Sequence, residues 1–200
     1  IKSPKKIRLI GDKSLSKRDF SRITEPLKRF GAKFYYKRKN KLPLSILGSN
    51  SVKGINYLEN RGSAQCKSSV MLAALNSSGI TSIKAKKSRN HTELLFKYLK
   101  IDIKVKKNKK FDFIDIKPPK KIPAFNYQIP GDISSSAFFI VLTTLADDSK
   151  LLIKNVNINS SRIGVITILK KMGAKILLKN KRDYRGEKIS DIFIESSKNL

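Results

Sequence analysis

The chain has 200 residues, 44 of them Lys or Arg and 15 Asp or Glu, which gives a formal net charge of +29. That length suits one good-sized domain or two small ones around a buried core, so disorder is set aside, and a single cysteine excludes a disulfide framework or a multi-Cys zinc site. No apolar run approaches the roughly 20 residues that span a bilayer, and nothing at the N-terminus reads as a signal peptide.

The first predicted element is the strand-like run Ile7 to Ile10. Phe20, Ile23, Leu27 and Phe30 then recur at helical spacing, with Pro26 expected to end, start or kink that helix. Gly31-Ala32-Lys33 turns the chain into a strand at Phe34-Tyr35-Tyr36. A run of small and polar residues from Ser63 to Ser69 leads into the apolar helix Val70 to Leu75, followed by a strand at Ile80 to Ile83. Thr92 to Lys100 predicts a second helix that runs into Ile101, Ile103 and Val105, and Lys104 to Lys121 reads as a solvated hairpin and loop. Pro130 to Ser136 opens another apolar helix, Ala137 to Leu145, and a strand at Leu151 to Val156. The last elements are a helix from Ser161 to Met172, the turn Gly173-Ala174-Lys175, and strands at Ile176 to Leu178 and Asp191 to Glu195.

Three of these helices share one pattern, apolar spacing, a short turn and then a strand, with turns near residues 32, 101 and 174, a period of about 70. A glycine after the last turn supplies the left-handed cap that Cβ-bearing residues resist. The helices that open with Ser-rich runs are apolar nearly all round and are expected to be buried. The pattern implies a repeated α/β unit rather than one doubly wound sheet. Because the chain opens at Ile1 without an initiator Met and ends just after a strand, further sequence is expected on both sides.

A charge surplus this large normally points to a polyanion, nucleic acid or anionic membrane. It is spread along the chain, however, with 24 basic and 5 acidic groups in residues 1–100 and 20 and 10 in residues 101–200. Lys supplies 34 of the cations and Arg only 10, although the planar guanidinium is the better reader of phosphates and bases. With 25 Ile and 13 Asn alongside, the surplus reads as solvated lysines from an AT-rich genome.

Candidate chemistry lies at helix starts. Ser63-Ala64-Gln65-Cys66-Lys67-Ser68 would present free N–H groups and the positive end of a helix dipole to an anion, or would simply cap the helix. Arg18 could clamp a carboxylate or phosphate in a bidentate fork. Ser88 to Glu93 combines Arg89, a Thr or Ser cap and the single histidine, His91. Pro130-Gly131-Asp132 followed by three serines reads more as a plain turn into a helix. Cys66 would be a nucleophile only if its pKa were lowered, and no partner base is evident. Neither a phosphate-binding Gly-rich loop with Lys, nor a Gly-rich dinucleotide turn, nor a His pair is present, so no ordinary ATP, dinucleotide or metal site is expected.

In combination these segments resemble a family. Gly11-Asp12-Lys13-Ser14 with Lys17-Arg18, Glu25-Pro26-Leu27, Gly31-Ala32-Lys33, Leu42-Pro43-Leu44, Ser63-Ala64-Gln65 with Lys67-Ser68, Ser88-Arg89 with His91-Thr92-Glu93, Pro130 to Ser135, and Arg162 with Met172-Gly173-Ala174 occur in the order seen in the EPSP synthases, which are enolpyruvyl transferases. The resemblance covers essentially the whole chain. It implies an α/β fold of repeated βαβαββ units forming an inverted α/β barrel, incomplete at both ends, with all 200 residues part of one enolpyruvyl transferase domain and no separate linker domain.

It also implies ligands and roles. Ser63, Ala64 and Gln65 would touch shikimate 3-phosphate, with Gln65 also near phosphoenolpyruvate; Arg18 would hold phosphoenolpyruvate, and Arg89 with Ser88 would face the shikimate phosphate. The implied reaction joins the shikimate 5-hydroxyl to the enol-ether carbon and expels phosphate, with acid/base residues outside this chain, so the 200 residues alone are expected not to turn over. No cofactor, metal, nucleic acid or membrane is implied, and the full-length protein would be a cytoplasmic monomer. Three departures stand out: Asp19 where the family usually has Pro, Asn90 for a usual Asp, and Cys66 for a usual aliphatic residue. A related transferase acting on a nucleotide sugar fits less well, since its cysteine lies in a Cys-Ala-x-Gly loop.

Overall fold

The computed structural model describes residues 1–197, which divide into two compact units, the first of residues 1–122 and the second beginning at Pro123. In the first, β1 (Ile7–Leu9), α1 (Ser21–Arg29), β2 (Lys33–Tyr36) and β3 (Leu44–Leu47) form an antiparallel sheet in the order β1-β3-β2. The same unit continues with β4 (Asn56–Glu59), α2 (Ala64–Ala74), β5 (Thr81–Lys86), α3 (His91–Tyr98), β6 (Ile103–Lys107) and β7 (Phe111–Ile116), a complete βαβαββ run. Its sheet has the order β4-β5-β7-β6, with β4 and β5 parallel across the α2 crossover and the remaining pairs antiparallel.

The second unit repeats that topology. It holds α4 (Ile133–Leu145), β8 (Lys150–Asn157), α5 (Gly164–Lys171), β9 (Lys175–Tyr184) and β10 (Glu187–Glu195), with sheet order β8-β10-β9. The strand that would precede α4 is reduced to a parallel bridge between Gly131 and Val156. All three sheets therefore place the hairpin's second strand in the middle, beside the strand that precedes the helix.

The expected period has an atomic basis. After α1, α3 and α5 the chain passes through a left-handed residue, Gly31 at φ +92°, Lys100 at +55° and Gly173 at +101°. Each time the next N–H reaches back five residues, from Ala32 to Leu27 O, Ile101 to Phe96 O and Ala174 to Leu169 O. This doubly bonded C-terminal cap satisfies carbonyls the helix would otherwise strand and aims the chain into its strand. At Lys100 a Cβ-bearing residue takes the glycine's place, at a conformational cost.

Strand alternation fills the cores. In β5, Thr81, Ile83 and Ala85 face inward, and in β7, Asp112, Ile114 and Ile116 do, with Ile83 directly opposite Ile114. The hairpin read as solvated is solvated on one face only, because β7 sits between β5 and β6. On the outer face Lys84 lies over the rings of Phe111 and Phe113, at 4.8 and 5.8 Å. Each fully buried Ile contributes about 1.5–3 kcal/mol.

Two further expectations are narrowed or changed. Of the three alternatives for Pro26, starting and ending α1 are removed, since it lies inside the helix; its missing N–H costs one bond, to the carbonyl of Arg22 in the first turn, while its ring is buried. The helix α2 is largely buried, but α4 buries only Ile133, Ser136, Ile140, Thr143 and Thr144. Its opposite stripe is open, with Phe138 80% and Leu145 66% exposed.

Two predictions follow from these contacts. Replacing the strained Lys100 by Gly is expected to stabilise the intact protein by about 1 kcal/mol, and Gly173→Ala to destabilise it by a similar amount, read as opposite shifts in the urea midpoint. In the second unit, the Asn180 side-chain amide and the Asn155 N–H hold the Asp191 carboxyl below its usual range, and the N–H of Ser134 does the same for Asp132. Carboxyls lowered by folding contribute stability above their unfolded pKa and lose it as the pH falls through the folded one. Stability is therefore expected to drop below about pH 4, and Asp191→Asn to flatten that drop.

Candidate anion-binding site

The site is built at the two helix starts of the first βαβαββ run. The turn before α2 is shaped by Glu59, whose buried carboxylate accepts the N–H groups of Arg61 and Gly62, both at 2.9 Å. Gly62, at φ +67°, reverses the chain so that Ser63 lands at the N-cap. There Ser63 Oγ accepts the Cys66 N–H at 3.3 Å, and the Lys67 N–H reaches the Ser63 carbonyl at 3.0 Å. The cap is neutral, and the amides of Ala64 and Gln65 have no partner within the helix, so the positive end of the dipole stays uncompensated.

The corresponding start of α4 differs. There the Asp132 carboxylate accepts the N–H groups of Ser134 and Ser135, at 3.1 and 3.3 Å, and Arg162 bonds Ser134 Oγ while standing 3.9 Å from Asp132. An internal anion already occupies that helix end, which is capping, as expected for Pro130 to Ser136.

Two cavities meet at Gln65. One, of about 310 Å³, is lined by Arg18, Asp19, Arg22 and Gln65 together with Leu15, Phe20 and Ile23. The other, of about 350 Å³, is lined by Ala64, Gln65, Ser68, Arg89, His91 and Thr92. Four of the six residues singled out in the sequence, Arg18, Ala64, Gln65 and Arg89, thus line cavities that share a side chain. Ser63 acts as the cap beneath them. Ser88 lies between β5 and α3 and lines neither cavity; its hydroxyl oxygen is buried with no hydrogen-bond partner among the described residues.

Arg18 is held at the end of a single 3-10 turn, Leu15–Lys17. Asp12 caps that turn, accepting the Leu15 N–H at 2.6 Å. Gly11 lies close beneath this turn: a Cβ there would come within 2.9 Å of the δ-methyls of Leu15 and Leu42, side-chain ends that would have to shift. The Asp19 carboxylate accepts the Ser21 N–H at 2.6 Å, which holds it below the usual range, with Arg61 and Arg22 the nearby cations. Arg22, which was not among the candidates drawn from the sequence, puts a second guanidinium in the Arg18 cavity; Arg18 precedes α1 in extended backbone, so no helical spacing marks the pair.

The cap of α3 is also corrected. Its N-cap is Asn90, without a side-chain cap bond, and Thr92 instead shares a hydrogen bond with Ser68, oxygen to oxygen 2.7 Å. Beside it, Lys67 Nζ and Glu93 Oε1 meet at 2.5 Å, with the two side chains 0% and 5% exposed. Local sequence gave no hint of this pair, because its members are 26 residues apart. Cys66 is buried, burial pushes its thiol pKa up, and its sulfur lies 3.1 Å from Tyr57 Oη, so it is not a reactive thiolate. Among the described residues no group of His, Cys, Asp and Glu could hold a metal ion, and no helix is long and apolar enough to cross a membrane.

Chemically, the paired cavities offer a helix N-terminus, a carboxamide and three arginines, a set suited to small multiply charged anions. The chain matches the EPSP synthase (3-phosphoshikimate 1-carboxyvinyltransferase) family model over residues 2–196. It is 41% identical over 191 residues to the 3-phosphoshikimate 1-carboxyvinyltransferase of Thermoanaerobacter sp. (strain X514), covering 95% of this chain and 44% of that protein. Against the enzyme of the same name from Bacillus subtilis (strain 168) it is 38% identical, covering 94% and 43%. A solved EPSP synthase from Acinetobacter baumannii superposes with a TM-score of 0.79 at 38% identity, over 96% of this chain and 43% of that one. The enolpyruvyl transferase NikO from Streptomyces tendae shares the fold, with a TM-score of 0.67 at 13% identity. The chain spans less than half the length of these relatives. With its repeated α/β topology and its paired cavities, this chain belongs to the EPSP synthase family.

Proposed function

We propose that the protein transfers the enolpyruvyl group of phosphoenolpyruvate to the 5-hydroxyl of shikimate 3-phosphate and releases phosphate, and that this chain supplies binding walls for both substrates. The observation that carries the reading is the pair of cavities sharing Gln65, one holding Arg18 and the other Arg89 and the neutral-capped start of α2. Two anions that must react need adjoining sites, and a side chain common to both can orient one against the other.

In this reading Arg89 and the amides of Ala64 and Gln65 receive the shikimate phosphate. Ser63 fixes those amides, and the unpaired Ser88 hydroxyl supplies a donor for the same phosphate. Arg18 receives phosphoenolpyruvate as a charge-assisted fork, with Gln65 between the two ligands. The walls hold the 5-hydroxyl against the enol-ether carbon, and fixed cations restrain the charge that develops there. The reading assigns the acid/base steps to groups other than the binding residues named here, so the 200 residues alone are expected not to turn over. Neither cofactor nor metal nor nucleic acid enters this reading, which carries the expectation of a cytoplasmic monomer.

The test is titration of the intact protein with shikimate 3-phosphate, repeated for Arg89→Ala and Gln65→Ala, with Arg18→Ala assayed for phosphoenolpyruvate. Each lost charge-assisted contact is expected to cost about 1.5–3 kcal/mol, roughly ten-fold to more than a hundred-fold in affinity. Wild-type behaviour in all three variants would remove the assignment. Tight DNA binding at about 0.15 M salt with indifference to shikimate 3-phosphate would replace it with a polyanion reading.

A further inference from the structure

We propose that the buried Lys67–Glu93 pair is a positioning device for ligand recognition: it sets the distance between the two walls of the α2–α3 cavity and thereby the affinity for the phosphate-bearing substrate. The proposal rests on the functional reading above. Lys67 follows Gln65 by two residues on the first turn of α2, and Glu93 follows His91 by two on the first turn of α3. Next to the ion pair, the Ser68–Thr92 hydroxyl bond joins residues that both line the cavity. Two cross-links in neighbouring positions thus tie the two helix starts together at the cavity.

Stability does not account for this pair. A buried ion pair repays its own desolvation poorly, and well-packed apolar residues in its place often hold a fold equally well. Here the arrangement is costlier still, because Glu93 Oε2 is buried with no hydrogen-bond partner among the described residues. What an apolar pair cannot supply is a fixed distance between particular atoms, since dispersion contacts are short-ranged but non-directional. Further along, α2 and α3 share one apolar core that holds Val70, Met71 and Phe96, whereas at their first turns the two polar links join them directly beside the cavity that Ala64, Gln65 and Arg89 line. A bound phosphate bridging the helix start and the guanidinium is sensitive to that gap on the scale of an ångström.

The experiment is steady-state kinetics of the intact protein with shikimate 3-phosphate varied, for Lys67→Met/Glu93→Leu, Lys67→Arg, Glu93→Gln and Arg89→Ala. The apolar pair is expected to raise KM for shikimate 3-phosphate about ten-fold and to change kcat by less than about three-fold, and Lys67→Arg, which still reaches Glu93, to restore most of the affinity. A merely structural role would lower kcat with the folded fraction and leave KM unchanged, and that result overturns the proposal. Should the apolar pair fail to fold, Glu93→Gln keeps the size and an acceptor oxygen. It is expected to raise KM about three-fold, and an unchanged KM there also overturns the proposal. Arg89→Ala separates the two claims. If it raises KM while the apolar pair does not, positioning alone has failed; if it leaves KM unchanged, the reading of the cavity has failed and takes the positioning role with it.

Discussion

An α-helix carries a partial positive charge at its start, and whether that charge is available to a ligand depends on what caps it. At α4 the cap is the Asp132 carboxylate, supported by Arg162, so the field is answered from within the protein. At α2 the cap is the neutral Ser63 hydroxyl, which satisfies one N–H and leaves the field outward. Two helices in equivalent places of a repeated unit thus have differently capped starts, and one oxygen-bearing side chain makes the difference. Around that end, Glu59 and Gly62 shape the turn into α2, and Lys67 and Glu93 join the first turns of α2 and α3.

The repeated unit explains how such a site can be assembled from short elements. The helices α1, α3 and α5, which feed the hairpins, end in the same two-bond cap, so the entry of the hairpin's first strand is fixed locally and its second strand returns beside the strand that precedes the helix. Sheets built this way leave the helix starts together at one end of the parallel β4–α2–β5 crossover. That is where loops can carry chemistry without disturbing the ladder.

Much of this was legible in the sequence where the determinant is local. Gly31 and Gly173 announce their caps, Ser63 announces the start of α2, and the period of about 70 follows from the recurrence of both signals. Lys100 hides the middle cap, because the backbone there is left-handed without a glycine to show it. The burial of β7 and the open stripe of α4 were hidden for another reason. Both depend on which strand neighbours which, and hydrophobic pattern alone does not specify that. Lys67 shows the same limit most sharply: it is one of 34 lysines in a chain of net charge +29, and only its tertiary partner marks it as buried rather than solvated. Among the described residues the charge surplus thus separates into a solvated background, a few guanidiniums at the cavities and the internal Lys67.

The central claim is that a phosphate sits between the start of α2 and Arg89. Its most direct test is a structure of the intact protein with shikimate 3-phosphate bound. The account predicts the phosphate within hydrogen-bond distance of the Ala64 or Gln65 amide and of the Arg89 guanidinium, with Gln65 turned toward the sugar-like ring. Phosphate bound elsewhere, with the Arg89 cavity unfilled, would contradict it.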